Sequence, residues 1–306
     1  MKTPAILITI LLAASLFACS PAPTPAPSPT PSQPPAPSAT PAPTVSALDA
    51  QRTLTVGEMQ RSYLIHIPVG LDSSQPAPLV FVFHGFQENG ASIQRYTGFD
   101  SLADENGFIV VYPDGSGPAN SLSWNGSGCC GAALENEVDE PAFVKAILAD
   151  VETLVRIDAK RIYASGFSNG ALLSYRLACI MADTFAAVAP VGGVLMETPC
   201  QPQQPVSLIH VHGVKDLSVP LQGSNVGIPF PPVESGLATW AELNGCDPVG
   251  QSEQDTVLTH TRYTGCADGH AVELYLVEGT GHTWPSPYIA PISQIIWDFF
   301  ASHPNP

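Results

Sequence analysis

The sequence predicts an α/β fold with a mostly parallel central sheet and helices on both faces. Apolar runs of strand length recur along the chain, and after the first of them they alternate with helix-like runs. This alternation is typical of parallel strands joined by crossover helices. The part of the chain that carries the pattern, about residues 46–306, is long enough for one sizeable domain.

Each predicted strand is a short apolar or alternating run, and each predicted helix is a longer run with apolar residues at helical spacing. The predicted strands cover residues 62–67, 79–83, 108–112, 161–165, 186–191, 206–212 and 272–277. The predicted helices cover residues 92–105, 141–155, 170–182, 234–243 and 292–301.

The N-terminal residues predict export and a membrane anchor. Lys2 precedes an apolar run that is too short for a stable membrane span, so residues 1–18 are predicted to be a signal peptide. The run ends in Leu-Phe-Ala-Cys, which resembles a bacterial lipobox with Cys19 as the lipidated residue. Free secretion is the alternative. Residues 19–45 are rich in Pro, Ala, Ser and Thr and predict an extended tether to a domain spanning residues 46–306.

The net charge of the chain makes two classes of binding partner unfavourable. The formal net charge is −16, which argues against nucleic acids and anionic surfaces as partners. The predicted contact with a membrane is therefore only through the lipid at Cys19. We expect a monomer.

The chain has seven cysteines, and six remain when Cys19 is set aside. An even number in an exported chain predicts disulfide bonds, although six cysteines allow fifteen connectivities. The preferred pair joins Cys246 to Cys266 across a polar excursion, and Cys179 with Cys200 is a second possibility. The adjacent Cys129 and Cys130 either bond to each other or divide between other partners.

One pentapeptide indicates a nucleophile. Gly166-Phe167-Ser168-Asn169-Gly170 lies between a strand-like run and a helix-like run. On a sharp strand-to-helix turn the serine hydroxyl projects above the sheet, and the two glycines permit the close turn. Ser168 is therefore the candidate nucleophile for acyl transfer.

A serine of this kind needs a histidine to accept its proton and a carboxylate to orient that histidine. Asp216 follows the strand at 206–212, and His282 follows the strand at 272–277, in the chain order expected after such an elbow. Asp114 is the alternative acid, although its Pro-Asp-Gly setting is typical of a turn. His210 and His212 share a strand face, and this spacing fits either a pair of zinc ligands or a packed or hydrogen-bonded pair.

Acyl transfer also needs donors for the oxyanion. The backbone N–H of Asn169 follows Ser168 at the helix N-terminus, where the helix dipole favours negative charge. The second donor is predicted to be the backbone N–H of Phe86, in the loop after the strand at 79–83.

Short motifs distributed over most of residues 52–300 resemble those of a known family. They lie at residues 84–85, 112–115, 124, 129–131, 137–139, 166–170, 212–213, 216, 244–246 and 281–285. With these motifs the chain resembles the secreted esterase family that groups polyhydroxybutyrate depolymerase-like and feruloyl-esterase-like α/β hydrolases. The resemblance implies an α/β-hydrolase fold and a serine carboxylesterase that needs no cofactor. The chain departs from the family at Ala171, where a second glycine is common.

The expected substrate is a polymeric or oligomeric ester, with Trp124 and Trp284 as candidate aromatic lining of the cleft. Two other functions stay open at this stage. One is a serine peptidase on the same fold, and the other is a non-catalytic binding module of the cell envelope. Hydroxyalkanoate polyesters, feruloyl esters of plant polysaccharide and small acetyl esters are all candidate substrates, because the same triad serves each of them.

Overall fold

In the computed structural model, which describes residues 48–72 and 74–306, ten strands form one sheet. The strands are β1 Leu48–Val56, β2 Met59–Ile67, β3 Ala77–Phe83, β4 Ile109–Pro113, β5 Ile157–Phe167, β6 Ala187–Val191, β7 Ser207–Gly213, β8 Gln251–Gln254, β9 Leu258–Tyr263 and β10 Val272–Val277. The helices are α1 Gly90–Thr97, α2 Phe99–Asn106, α3 Gly131–Glu135, α4 Glu140–Glu152, α5 Asn169–Ile180, α6 Val233–Leu243 and α7 Ile292–Ser302.

The strand order is β1-β2-β4-β3-β5-β6-β7-β10-β9-β8. The six central strands, from β4 to β10, are parallel, whereas the pairs at both ends of the sheet are antiparallel. Because the central strands are parallel, the loops after β3, β5, β7 and β10 leave the same edge of the sheet. A site assembled from these loops therefore lies at the carboxyl ends of the strands.

Two apolar layers cover the sheet, because successive side chains of a strand point to opposite faces. On β3, Phe81 packs in the layer that also holds Phe143 of α4 and Trp240 of α6. Its neighbour Val82 packs in the other layer, with Phe99 of α2 and Trp297 of α7. Helices α4, α5 and α6 thus cover one face, and α1, α2 and α7 cover the other.

The predicted α/β architecture is confirmed, and all seven predicted strands are present with ends shifted by a few residues. The single predicted helix over 92–105 is wrong, because the chain breaks at Gly98. That residue has a φ of 70° and lies between α1 and α2. The prediction missed α3 and three strands, β1, β8 and β9, in which polar residues dominate or apolar residues alternate weakly.

The structure joins Cys246 to Cys266, the pair preferred from the sequence, and Cys179 to Cys200, the second possibility. Between the alternatives for the adjacent pair, it contains the bond from Cys129 to Cys130. Three disulfide bonds are typical of exported proteins.

The predicted signal peptide, the lipidated Cys19 and the tether at 19–45 lie outside the described residues. Within residues 48–72 and 74–306, none of the helices is both long enough and apolar enough to span a membrane.

Candidate active site

Ser168 lies at a sharp turn between β5 and α5. Its φ of 54° and ψ of −116° place a non-glycine residue in a backbone region that is rarely occupied. The Ser168 N–H donates to the Val191 carbonyl at 2.9 Å, which holds the turn against β6. A Cβ atom at Gly166 would collide with the Gly170 carbonyl, and one at Gly170 with the Phe83 carbonyl. Both glycines of the pentapeptide are therefore required by close backbone packing.

The loops after β5, β7 and β10 bring Ser168, Asp216 and His282 into contact. Nε2 of His282 lies 2.8 Å from Oγ of Ser168. Nδ1 of the same ring lies 2.7 Å from Oδ2 of Asp216. Because a carboxylate only accepts, Nδ1–H donates to Asp216, and the neutral ring offers Nε2 as an acceptor to the serine hydroxyl.

Asp216 is 4% exposed, and its carboxylate is surrounded by donors. Its Oδ1 accepts hydrogen bonds from the backbone N–H groups of Ser218 at 2.9 Å and Val219 at 2.8 Å. Burial by itself raises the pKa of Asp216, but the hydrogen bonds from His282 and Val219 outweigh it and hold the pKa below the usual value. The carboxylate is therefore ionised at neutral pH and able to orient His282.

The alternative acid, Asp114, has a different environment. Its Oδ1 accepts from the Gly90 N–H at 2.8 Å, and its Oδ2 accepts from the Ser62 hydroxyl at 2.7 Å. These contacts attach the N-terminus of α1 to β2. Asp114 thus stabilises the scaffold, and the carboxylate that contacts His282 is Asp216.

The two expected oxyanion donors are backbone N–H groups. Asn169 directly follows Ser168 and begins α5, and the turn after β3 carries Phe86. Within the described part of the chain, neither of these two backbone N–H groups donates to a protein acceptor. Unpaired N–H groups of this kind are able to bind negative charge that develops on a carbonyl oxygen.

Glu88, which the sequence analysis did not single out, supports the turn after β3. Its Oε2 accepts from the Gly85 N–H at 3.0 Å and from the Tyr96 hydroxyl at 2.7 Å. Burial, together with the nearby Glu88 charge, raises the pKa of Tyr96 and keeps its hydroxyl protonated. The Glu88 carboxylate therefore fixes the backbone next to Phe86.

Trp124 does not line a cleft, so the expectation that it contacts substrate is wrong. The side chain is fully buried, and its indole packs edge-on against Phe83. Its Nε1–H donates to the His84 carbonyl at 2.9 Å, which satisfies the one polar atom of the indole. Trp124 thereby anchors the turn that carries Phe86.

Trp284, the other candidate aromatic residue, is 6% exposed and lies at the edge of a cavity of about 410 Å³. This cavity is also lined by Arg95, Tyr96, Leu102 and Pro287. Tyr96 connects the cavity to the triad, because its ring packs edge-on against Phe167, which in turn packs against His282.

His210 and His212 form a hydrogen-bonded pair, which decides between the two alternatives left open for them. Nε2 of His210 lies 3.0 Å from Nδ1 of His212. The outer ring nitrogens contact the Tyr175 hydroxyl and the Val219 carbonyl, both at 2.8 Å. All four ring nitrogens are thus engaged by protein groups. Among the residues that the structure describes, no cluster of three or more metal-ligating side chains is present.

Residues 61–222 match the family described as esterase PHB depolymerase, which is more than half of the 306-residue chain. The chain belongs to this family. The match covers the turn after β3, the Ser168 elbow and Asp216, whereas His282 lies beyond it.

Curated relatives of this esterase PHB depolymerase family member include feruloyl esterase C from Emericella nidulans, which is 31% identical over 267 residues. That alignment covers 82% of this chain and 88% of the relative. Feruloyl esterase B from Piromyces equi is 28% identical over 236 residues, which cover 72% of this chain and 42% of the relative. A bifunctional acetylxylan esterase/xylanase from Neocallimastix patriciarum is 29% identical over 245 residues, which cover 77% and 32%. The chain thus spans less than half the length of these last two relatives.

Solved structures show the same fold. An acetyl xylan esterase from Aspergillus awamori aligns with a TM-score of 0.61 at 16% identity, covering 82% of this chain and 99% of that one. A feruloyl esterase module from Clostridium thermocellum complexed with sinapinate aligns with a TM-score of 0.57 at 15% identity, covering 84% and 88%. The family member therefore has an α/β-hydrolase fold.

Proposed function

We propose that this protein is a serine hydrolase of carboxylic esters, with Ser168 as nucleophile, His282 as general base and acid, and Asp216 as the orienting carboxylate. The observation that carries the proposal is the continuous contact from Ser168 through His282 to Asp216, at 2.8 and 2.7 Å. Membership in an esterase family supports the same reaction. A binding module would have no use for this arrangement.

In the proposed mechanism His282 Nε2 accepts the Ser168 proton while the serine oxygen attacks the ester carbonyl. The backbone N–H groups of Phe86 and Asn169 stabilise the oxyanion. His282 then protonates the leaving alcohol, and an acyl-enzyme remains on Ser168. A water molecule, deprotonated by His282, releases the acid through the same sequence of steps. The reaction needs no cofactor.

The proposed substrates are esters attached to a polymer, either a hydroxyalkanoate polyester or a polysaccharide bearing feruloyl or acetyl groups. The family description and the names of the relatives support these classes. The cavity beside Trp284 and Tyr96 supports an apolar or aromatic group at one side of the ester.

We propose that the catalytic domain, residues 46–306, acts outside the cytoplasm as a monomer. It is attached through the tether at 19–45 to a lipid on Cys19 after removal of residues 1–18. The three disulfide bonds support export. The single membrane contact is the lipid, and free secretion is the alternative.

The test uses the purified full-length protein with its disulfides formed, beside its Ser168→Ala variant. Hydrolysis of p-nitrophenyl acetate, p-nitrophenyl butyrate, methyl ferulate and a hydroxybutyrate oligomer is measured, together with labelling by a fluorophosphonate. We expect Ser168→Ala to lose at least ~10³-fold in kcat and all labelling, because the nucleophile is removed. A control, Ser235→Ala at an exposed position of α6, is expected to keep both.

Two other outcomes would favour the alternative functions. Absence of turnover and of labelling in the folded wild-type protein would support the binding module instead. Serine-dependent cleavage of peptides without cleavage of esters would support the peptidase.

A further inference from the structure

A buried chain of polar side chains ends next to Asp216, at the same carboxylate that His282 contacts. It runs from Tyr175 on α5 to His210 and His212 on β7. The three side chains are 1%, 0% and 1% exposed. Buried polar groups are costly unless they are fully paired, so a chain of three such residues in an apolar layer needs an explanation.

The end of the chain fixes the direction of its hydrogen bonds. Nε2 of His212 lies 2.8 Å from the Val219 carbonyl and 3.4 Å from Oδ2 of Asp216. Both of these atoms only accept, so His212 carries its proton on Nε2. Burial lowers the pKa of both His210 and His212, and both rings are therefore neutral.

The tautomer of His212 determines the direction of the other two hydrogen bonds, those of His210 and Tyr175. Because neutral His212 has its proton on Nε2, its Nδ1 accepts a hydrogen bond from Nε2–H of His210. In turn, Nδ1 of His210 accepts from the Tyr175 hydroxyl. Every donor in the chain therefore points towards Asp216, and the dipoles add in the same direction.

The same row of side chains also holds the turn that carries Asp216. The Val219 carbonyl accepts from His212, while the Val219 N–H donates to Oδ1 of Asp216. His212 thus fixes the Val219 carbonyl relative to β7, and the N–H of the same residue bonds Asp216. A shift of this turn would displace the carboxylate from Nδ1 of His282, where the present distance is 2.7 Å.

We infer that His212 is a positioning residue for Asp216, and that His210 and Tyr175 act through it by holding its tautomer. This inference rests on the proposed function. It predicts that these three side chains influence the chemical step and not substrate affinity, because none of them contacts the serine hydroxyl.

The experiment compares kcat and KM on p-nitrophenyl butyrate for four variants of the full-length protein. His212→Leu is expected to lower kcat at least about tenfold with KM changed less than about threefold, as for loss of a buried hydrogen bond at the transition state. His212→Gln places an amide nitrogen near the position of Nε2, so it is expected to recover most of that loss. Tyr175→Phe, which removes one hydroxyl, is expected to lower kcat about two- to fivefold.

The fourth variant combines Tyr175→Phe with His212→Leu. If Tyr175 acts through His212, its effect on kcat disappears in the His212→Leu background, which is a non-additive double-mutant cycle. The control is Tyr163→Phe, because the Tyr163 hydroxyl is buried in the opposite layer and no protein group in the described structure pairs with it. We expect its kcat to be unchanged.

The outcomes separate this inference from the proposed function. Fluorophosphonate labelling of Ser168 in the wild-type protein establishes the serine hydrolase independently of the chain. With labelling present, an unchanged kcat in His212→Leu, or additive effects of the two substitutions, would overturn the inference. If His212→Leu does not fold, the decision is made from Tyr175→Phe, where a two- to fivefold loss of kcat at unchanged KM supports the inference and wild-type kcat overturns it.

Discussion

The side-chain amide of Asn169 binds the backbone of Trp124 in both directions. Its Oδ1 accepts from the Trp124 N–H at 2.7 Å, and its Nδ2 donates to the Trp124 carbonyl at 3.1 Å. Nδ2 also donates to the Cys129 carbonyl at 3.0 Å. The residue directly after Ser168 therefore fastens the N-terminus of α5 to the loop before α3. The same Trp124 holds the turn after β3 through its indole.

Loss of the Asn169 amide is expected to destabilise the protein by about 2–3 kcal/mol. In Asn169→Ala the buried Trp124 N–H and the Cys129 carbonyl lose this partner, whereas the Trp124 carbonyl keeps the Gly126 N–H. Each buried group left unsatisfied is costly. Urea denaturation followed by circular dichroism measures the change. Asn106→Ala, which removes an exposed amide bonded to the Leu102 carbonyl, is the control and is expected to cost less than about 0.5 kcal/mol. Equal losses in the two variants would contradict this role.

Substitution of Asp216 by Asn is expected to lower kcat by about 10²- to 10⁴-fold with little change in fold. The backbone N–H groups of Ser218 and Val219 keep Oδ1 in place, so the amide nitrogen of the variant faces His282. A donor there forces His282 to accept on Nδ1 and to carry its proton on Nε2, which blocks transfer from Ser168. Steady-state kinetics on p-nitrophenyl butyrate measures the loss.

The matched variant is Asp114→Asn, which tests the other carboxylate that follows a strand. Its contacts are with Gly90 and Ser62, so we expect kcat within about threefold of the wild-type value. A large loss of kcat in Asp114→Asn with a small one in Asp216→Asn would reverse the assignment of the acid.

The elements that the sequence predicted best are those whose pattern is local. An apolar run such as that around Phe81 identifies a buried strand by itself, and the residues after such runs meet at one edge of a parallel sheet. For this reason the sequence alone predicts that Ser168, Asp216 and His282 lie close together. The strand β8, Gln251–Gln254, has no such pattern, since all its residues are exposed.

The supporting contacts of the site were not predictable, because their partners are backbone atoms far away in the chain. The Asn169 amide bonds residues 45 and 40 positions away. The burial of Trp124 was not predictable for the same reason. Its neighbours in the sequence are small and polar, which is typical of an exposed segment. Its indole is nevertheless buried and donates to the carbonyl of a residue 40 positions away. The direction of the hydrogen bonds around His212 likewise depends on the carbonyl of Val219, which carries no sequence signature.

Removal of either long-range disulfide is expected to cost about 3 kcal/mol. The pairs Cys179–Cys200 and Cys246–Cys266 are separated by 21 and 20 residues, so they restrict the unfolded chain to a similar extent. Double alanine variants are compared with the wild type by guanidinium denaturation. Because Cys179 is buried in the core, we expect its pair to cost somewhat more than the partly exposed Cys246 pair. A smaller loss for the Cys179 pair would contradict this order.

The ion pairs of His66 are expected to stabilise the protein in acid and not in alkali. Nδ1 of His66 lies 2.6 Å from Asp49 Oδ1, and Nε2 lies 3.1 Å from Asp104 Oδ1. Both ring nitrogens face acceptors, which favours the doubly protonated ring. Burial opposes the charge, but the carboxylates outweigh it and raise the pKa of His66 above 6.5.

The sign of the pH dependence follows from that shift. A raised pKa in the folded state contributes stability that is fully present below the unfolded value and is lost as pH rises through the folded one. His66→Gln should therefore cost about 0.5–1 kcal/mol more at about pH 5.5 than at about pH 8.5, measured by urea denaturation. His270→Gln is the opposite control, because burial lowers the pKa of His270 and its substitution should cost less in acid than in alkali. If both variants showed the same pH trend, the opposite pKa shifts of His66 and His270 would be contradicted.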